Sequence, residues 1–84
     1  MANRFHLAIM TQELTIFEGL VESLVAPAEL GYLGVLAHHA PLVTTLVPGK
    51  ITFRTGPGET TSFDSKGRGF LEVSKDNAIL IFDA

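Results

Sequence analysis

The 84-residue chain has no cysteine, no tryptophan, one tyrosine, and only 18% charged residues. Without cysteine there are no disulfides, no thiolate nucleophile and no sulfur-ligated zinc site. Six Lys plus Arg stand against nine Asp plus Glu, for a net charge of −3. Such a chain offers no basic stripe to neutralise phosphates, so nucleic acid is not an expected partner. No apolar run approaches the ~20 residues of a membrane-spanning helix, and the opening MANRFHLAIM lacks the apolar core of a signal peptide. The expectation is a soluble, cytoplasmic chain. Repeats, low-complexity tracts and Pro-rich or Ser-rich linkers are also missing, and a chain this short supports one core, so a single domain over residues 1–84 is expected.

What the chain does contain is short apolar runs broken by Gly, Pro, Asn and Asp about every ten residues, the rhythm of an all-β sandwich or barrel. Phe5, Leu7 and Ile9 alternate with His6, Ala8 and Met10, so the first strand sets its larger side chains on one face. Residues 14–17 and 20–26 read as two strands, with Glu18-Gly19 as a turn or bulge between them and Pro27 as the stop. Strands are also expected at 31–36 and 42–47, the second ended by Pro48-Gly49, which fits a type II turn. Residues 50–54 and 59–65 form a hairpin across Gly56-Pro57-Gly58, and 69–74 pairs with 78–82 across Lys75-Asp76-Asn77. No helix is expected, because the best candidate, 20–30, contains Val21, Val25 and Pro27. Ala78-Ile79-Leu80-Ile81-Phe82 is apolar on both faces, so one face must be covered by something else. With so little charge, this pattern favours an interaction module.

Few residues invite catalysis. Glu72, set among Phe70, Leu71 and Val73, reads as an inward carboxylate: either a general acid or base, with His39 as partner in a small β enzyme, or a structural group paired with Arg4, Arg54, Arg68 or a backbone N–H. Ser23, Ser62 and Ser65 have no triad around them, and no phosphate-binding glycine loop occurs. Adjacent His38 and His39 point opposite ways in an extended chain, which does not make a metal site. His39 is expected to bond backbone near Pro41 or to touch a partner, and His38 to face solvent. No catalytic residue, cofactor or metal ligand is assigned.

The stretch 31–49, GYLGVLAHHAPLVTTLVPG, resembles the glycine, apolar pair, His-Ala-Pro-Leu, Thr, Leu and Pro-Gly series of the epsilon subunits of F-type ATP synthases. The likeness continues through GFLEV at 69–73, the turn at Asn77, and HLAIMTQELTIFEGLVESLVAP near the start, with Phe17, Gly19 and Val21 to Ser23 in their expected places. Two positions depart from the pattern. Arg68 replaces the first of two adjacent glycines, and would be strained if that backbone needs a positive φ, unless Gly67 takes over the role. His38 stands where the family often has glycine.

This resemblance implies a flattened β sandwich of about ten short strands. It further implies a non-catalytic central-stalk subunit that binds the γ subunit and the c ring and couples ion-driven rotation to ATP synthesis. Such a subunit is peripheral, on the cytoplasmic face of the inner membrane or its thylakoid equivalent. The family's γ-facing positions fall on Met10, His39 and Thr44. Its ring contact falls on the loop Leu30, Gly31, Tyr32 and Leu33, at the sandwich end opposite the point where longer members continue into two helices. Leu30 and Tyr32 are expected to project there, Leu33 to fold back onto the core, and Gly31 and Gly34 to let the chain turn. The sequence is read as a short form without those helices, so their inhibition of hydrolysis and their ATP binding are not expected. The rival reading is a lipoyl-like or biotinyl-like swinging-arm carrier using Lys66, which lacks the Asp or Met neighbours of such lysines and any two-fold internal similarity.

Overall fold

The computed structural model describes residues 3–83. They form nine strands and no helix: β1 (Phe5–Met10), β2 (Thr15–Val21), β3 (Ser23–Ala28), β4 (Gly31–Leu36), β5 (Leu42–Leu46), β6 (Gly49–Gly56), β7 (Glu59–Ser65), β8 (Gly69–Ser74) and β9 (Asn77–Phe82). The hydrogen-bonded order is β2-β1-β9-β8-β5-β3-β6-β7, with β4 paired to the other edge of β3. β1 and β9 are parallel, and every other paired neighbour among the described residues runs antiparallel. The sheet doubles over on itself, so β2-β1-β9-β8-β5 forms one layer and β4-β3-β6-β7 the other. Phe17 of β2 meets Phe53 of β6 with ring centroids 4.3 Å apart, and Phe63 of β7 meets Phe82 of β9 at 6.0 Å. Those contacts close the sandwich.

Alternation explains the core. Phe5, Leu7 and Ile9, then Leu71 and Val73, then Ala78, Leu80 and Phe82 all turn inward, where they meet Leu24, Ala26, Ile51 and Phe53 from the facing layer. Burying side chains of this size stabilises by roughly 1.5–3 kcal/mol each relative to exposure, so this cluster outweighs any surface pair in the molecule.

Several expected boundaries shift, each for a physical reason. Glu18-Gly19 is no break: β2 runs through it, with Gly19 opposite Leu7, and the absent side chain makes room for the Phe17 ring, whose Cζ lies 3.3 Å from where a Cβ would stand. The chain bends instead at Glu22, whose N–H donates to the Arg54 carbonyl at 2.7 Å. Pro27 does not stop β3 but lies inside it, opposite Tyr32. Its carbonyl accepts from Val47 N–H at 2.9 Å, and the N–H that proline lacks would point to that same side, where the ladder is already interrupted between Leu46 and Gly49. Thus Val47-Pro48 is a corner between β5 and β6 rather than a type II turn, since Gly49 has no positive φ. The turn with Pro followed by a positive-φ glycine is Pro57-Gly58, where φ is 73°. At the last hairpin Asp76 takes the left-handed conformation, with φ of 52°, while Asn77 already belongs to β9.

Arg68 is relieved of its expected strain, because neither it nor Gly67 has a positive φ. The glycines there answer to crowding: a Cβ on Gly67 would strike the Asp83 carbonyl, and one on Gly69 would strike the Ile81 carbonyl. His38 takes φ of 66°.

Candidate docking surfaces

Strand alternation leaves two surfaces that water does not explain. The first is the outer face of the β2-β1-β9-β8-β5 layer. Register sets Thr45, Phe70, Ile81 and Met10 in one row across β5, β8, β9 and β1. The next row reads Val43, Glu72, Ile79, Ala8 and Glu18. Phe70 is 61% exposed, Val43 69% and Ile81 42%. The uncovered face of β9 is therefore the side bearing Ile79 and Ile81. Apolar side chains standing side by side in this way are the pattern of a protein-contact surface.

Glu72 stands on this face, against the expectation of an inward carboxylate. Leu71 and Val73 occupy the core side, so period-two alternation turns Glu72 out, and it makes no ion pair among the described residues. Its expected partners are engaged elsewhere: Arg54 approaches Glu22 at 3.6 Å and Arg68 approaches Glu29 at 3.7 Å. His6, one row away, reaches Asn77 Oδ1 with Nδ1 at 3.1 Å and Glu18 with Nε2 at 3.4 Å, tying β1 to both its neighbours.

The second surface is the β3–β4 turn. Gly31 has φ of 131°, a conformation that L side chains rarely adopt, and this throws Leu30 fully into solvent at 102% exposure. Tyr32 is exposed over its ring, but its hydroxyl accepts from Lys50 N–H at 3.1 Å, so its polar tip braces β4 on β6. Leu33 packs against the core, as expected, whereas Gly34 is ordinary strand, opposite Val25. Leu30, Gly31, Tyr32 and Leu33 line a shallow hollow of about 300 Å³ together with Leu42 and Thr44.

This turn and the end of β9 lie at the same end of the strands, correcting the expectation that they are opposed. Ala28, Leu46, Gly69 and Phe82 are successive partners across β3, β5, β8 and β9, and Arg68 links the two sites by pairing with Glu29 while its carbonyl accepts from Asp83 N–H at 3.0 Å.

The three residues carried over as γ-facing do not share one surface. Met10 belongs to the outer apolar face, and Thr44 lies on the opposite side of β5 from Val43 and Thr45, in the hollow beside Leu30. His39 sits in the β4–β5 loop, with Nδ1 on the Ala40 carbonyl at 2.6 Å, which matches the backbone bond expected near Pro41. The hollow beside it is lined by Ala40, Pro41, Lys75 and Asp76, without Glu72, so the His39–Glu72 pairing of an enzyme is not assembled. No group of three or more potential metal ligands occurs among the described residues. His38 faces solvent, as expected, with its Nδ1 3.6 Å from the exposed Asp76 carboxylate. The outer face as a continuous apolar surface was only partly legible in the sequence. Ile79 and Ile81 betrayed it, but Phe70 and Val43 join them only through the register of β5, β8 and β9.

Residues 4–84 match the family described as ATP synthase, Delta/Epsilon chain, beta-sandwich domain. The chain belongs to that family. Within it, the chain is 37% identical over 83 residues to the ATP synthase epsilon chain of Dichelobacter nodosus, covering 99% of this chain and 57% of that one. It is likewise 37% identical to the epsilon chain of Nitrosococcus oceani, covering 99% and 59%. The chain thus spans less than two thirds of the length of these curated relatives. In fold it is similar to a chain of the Euglena gracilis mitochondrial ATP synthase OSCP/F1/c-ring structure, with a TM-score of 0.88 at 22% identity over 96% of this chain and 51% of that chain. It is also similar to a chain of the Tetrahymena thermophila mitochondrial ATP synthase central stalk and c-ring structure, with a TM-score of 0.79 at 11% identity over 98% and 65%. Membership in the family removes the ground for reading Lys66 as a carrier lysine.

Proposed function

We propose that this chain is the β-sandwich part of the epsilon subunit in the central stalk of an F-type ATP synthase: a non-catalytic rotor component that holds γ, rests on the c ring, and helps couple ion-driven rotation to ATP synthesis. The observation that carries the reading is the family match combined with an uncovered apolar face on β5, β8, β9 and β1. γ covers that face, with Met10 inside the contact and His39 at its margin. Thr44 is reached by a γ segment that passes round the edge of β5 into the hollow. Leu30 and the turn around it rest on the polar loop of the ring. The domain is peripheral, held at the cytoplasmic face of the membrane by the complex alone, and binds no cofactor.

Two experiments test this. Chain and γ should elute together in size exclusion at micromolar concentration, and separate elution sinks the γ assignment. For the ring, Leu30→Cys gives a single thiol, since the chain has none of its own. It should form a disulfide with a cysteine in the c-subunit loop, which requires Cα atoms within about 7 Å. The opposing control is Lys75→Cys in the β8–β9 turn, at the far end of the strands. A link from Lys75→Cys with none from Leu30→Cys inverts the orientation.

A further inference from the structure

The outer apolar face carries two carboxylates and no lysine or arginine on its strand positions. Glu72 lies beside Phe70 on β8, and Glu18 lies on β2 beyond Ala8, in the same row across the strands. They are three strand steps apart, roughly 14 Å at ~4.8 Å per step. The ground between these carboxylates, Ile79 and Ala8, lies in the row next to Phe70, Ile81 and Met10, so a partner broad enough to span both rows covers it as well. Glu72 makes no ion pair among the described residues, and Glu18 has only the imidazole of His6, at 3.4 Å. Arg4 and Lys75 stand at the margin where β1 and β9 begin, and neither pairs with Glu18 or Glu72. Covering a carboxylate without giving it a partner costs more than the neighbouring apolar contact returns.

We infer that the γ surface seated on this face carries two cationic side chains about 14 Å apart, one for Glu72 and one for Glu18, on either side of an apolar contact. The inference rests on the reading that γ is the occupant, and adds which chemistry of γ is selected. Charge complementarity of this kind sets register: an apolar ridge alone can slide along the strands, whereas two separated ion pairs fix one position.

The test measures binding of the full chain to the γ subunit of the same ATP synthase by titration calorimetry, at low and at high salt. Glu72→Lys and Glu18→Lys should each weaken binding about tenfold or more at low salt, and wild-type affinity should fall as salt rises. Asp64→Lys makes the same change of charge on the outer face of β7, across the sandwich, and should leave affinity unchanged. All three positions are exposed, so the variants should keep the wild-type circular dichroism spectrum. Wild-type affinity in both face variants overturns the inference and leaves the γ reading standing. Equal weakening by Asp64→Lys also overturns it, since net charge alone would then be responsible. If wild-type chain fails to bind γ at micromolar concentration, the proposed function falls and this inference with it.

Discussion

The two outer faces of the sandwich are built from the same backbone and opposite chemistry. On β6 and β7 the outward positions are Lys50, Thr52, Arg54, Thr60, Ser62 and Asp64, cross-paired so that Lys50 stands opposite Asp64 and the Thr52 and Ser62 hydroxyls bond at 2.9 Å. Their inward neighbours Ile51, Phe53 and Phe63 are apolar, giving the clean alternation of a strand with one wet face. On β8 and β9 the inward positions are just as apolar, yet outward stand Phe70, Ile79 and Ile81. A face that keeps large apolar groups where its sister strands carry Thr and Ser is made for contact rather than for water. The contrast supports the proposed docking side without reference to any partner.

The comparison breaks most sharply within a single strand. Leu80 and Ile81 are neighbours on β9, one fully buried and the other 42% exposed. Leu80→Ala should lower unfolding free energy by about 2–5 kcal/mol, because the lost transfer energy adds to that of a cavity in a packed core. A domain of this size has about 4–13 kcal/mol in total, so the urea midpoint should fall steeply or the variant should not fold at all. A loss below about 1 kcal/mol would mean that the inner face is not the packed side.

Next in size is the corner where the two layers meet. A Cβ on Gly49 would lie 2.7 Å from Pro27 Cβ and 3.0 Å from the Tyr32 hydroxyl. The proline ring is fixed to its backbone and cannot yield like the end of a long side chain. Gly49→Ala should therefore cost about 1–3 kcal/mol by overpacking, read from the same urea titration. An unchanged midpoint would show that the β5–β6 corner relaxes freely.

The docking face should behave in the reverse sense. Phe70→Ser with Ile81→Ser removes exposed surface, so the stability of the isolated chain should change by no more than about 1 kcal/mol, most of it strand propensity. Co-elution with γ should nevertheless be lost. If stability collapses while γ binding survives in the folded fraction, the two faces have been assigned the wrong roles.

Much of this contrast could be read from residue order. The hairpins of 50–54 with 59–65 and of 69–74 with 78–82, and the two-sided apolarity of β9, follow from local alternation and turn residues. What escaped depends on how side chains and strands meet in the fold, near or far in sequence. Pro27 looks like a stop until Val47-Pro48 is seen interrupting the ladder on the very side where its N–H is missing. Glu18-Gly19 looks like a break until the Phe17 ring fills the space above Gly19. Glu72 looks buried among apolar neighbours, although strict alternation with Leu71 and Val73 was already enough to turn it outward. The separation of Met10 from Thr44 required the register, because parity along each strand does not say which faces join.

The smallest effect concerns a residue at odds with its own backbone. Leu36 to His39 form a turn in which the Leu36 carbonyl accepts from His39 N–H at 3.2 Å, and His38, third in the turn, takes φ of 66°. That position in a type II turn calls for glycine. Histidine adopts the left-handed region more readily than most residues, but still at some cost. His38→Gly should relieve that cost, while the freer unfolded chain takes back about 0.5–1 kcal/mol. The net result should be a stabilisation of a few tenths of a kcal/mol. Its pairing with Asp76 at 3.6 Å is exposed on both sides and contributes little. His38→Ala separates the two contributions, since it deletes the pair but keeps a Cβ in the same conformation. It should be neutral or slightly destabilising, with His38→Gly above it in thermal midpoint. If alanine and glycine have the same midpoint, the left-handed backbone is not what histidine strains against at this turn.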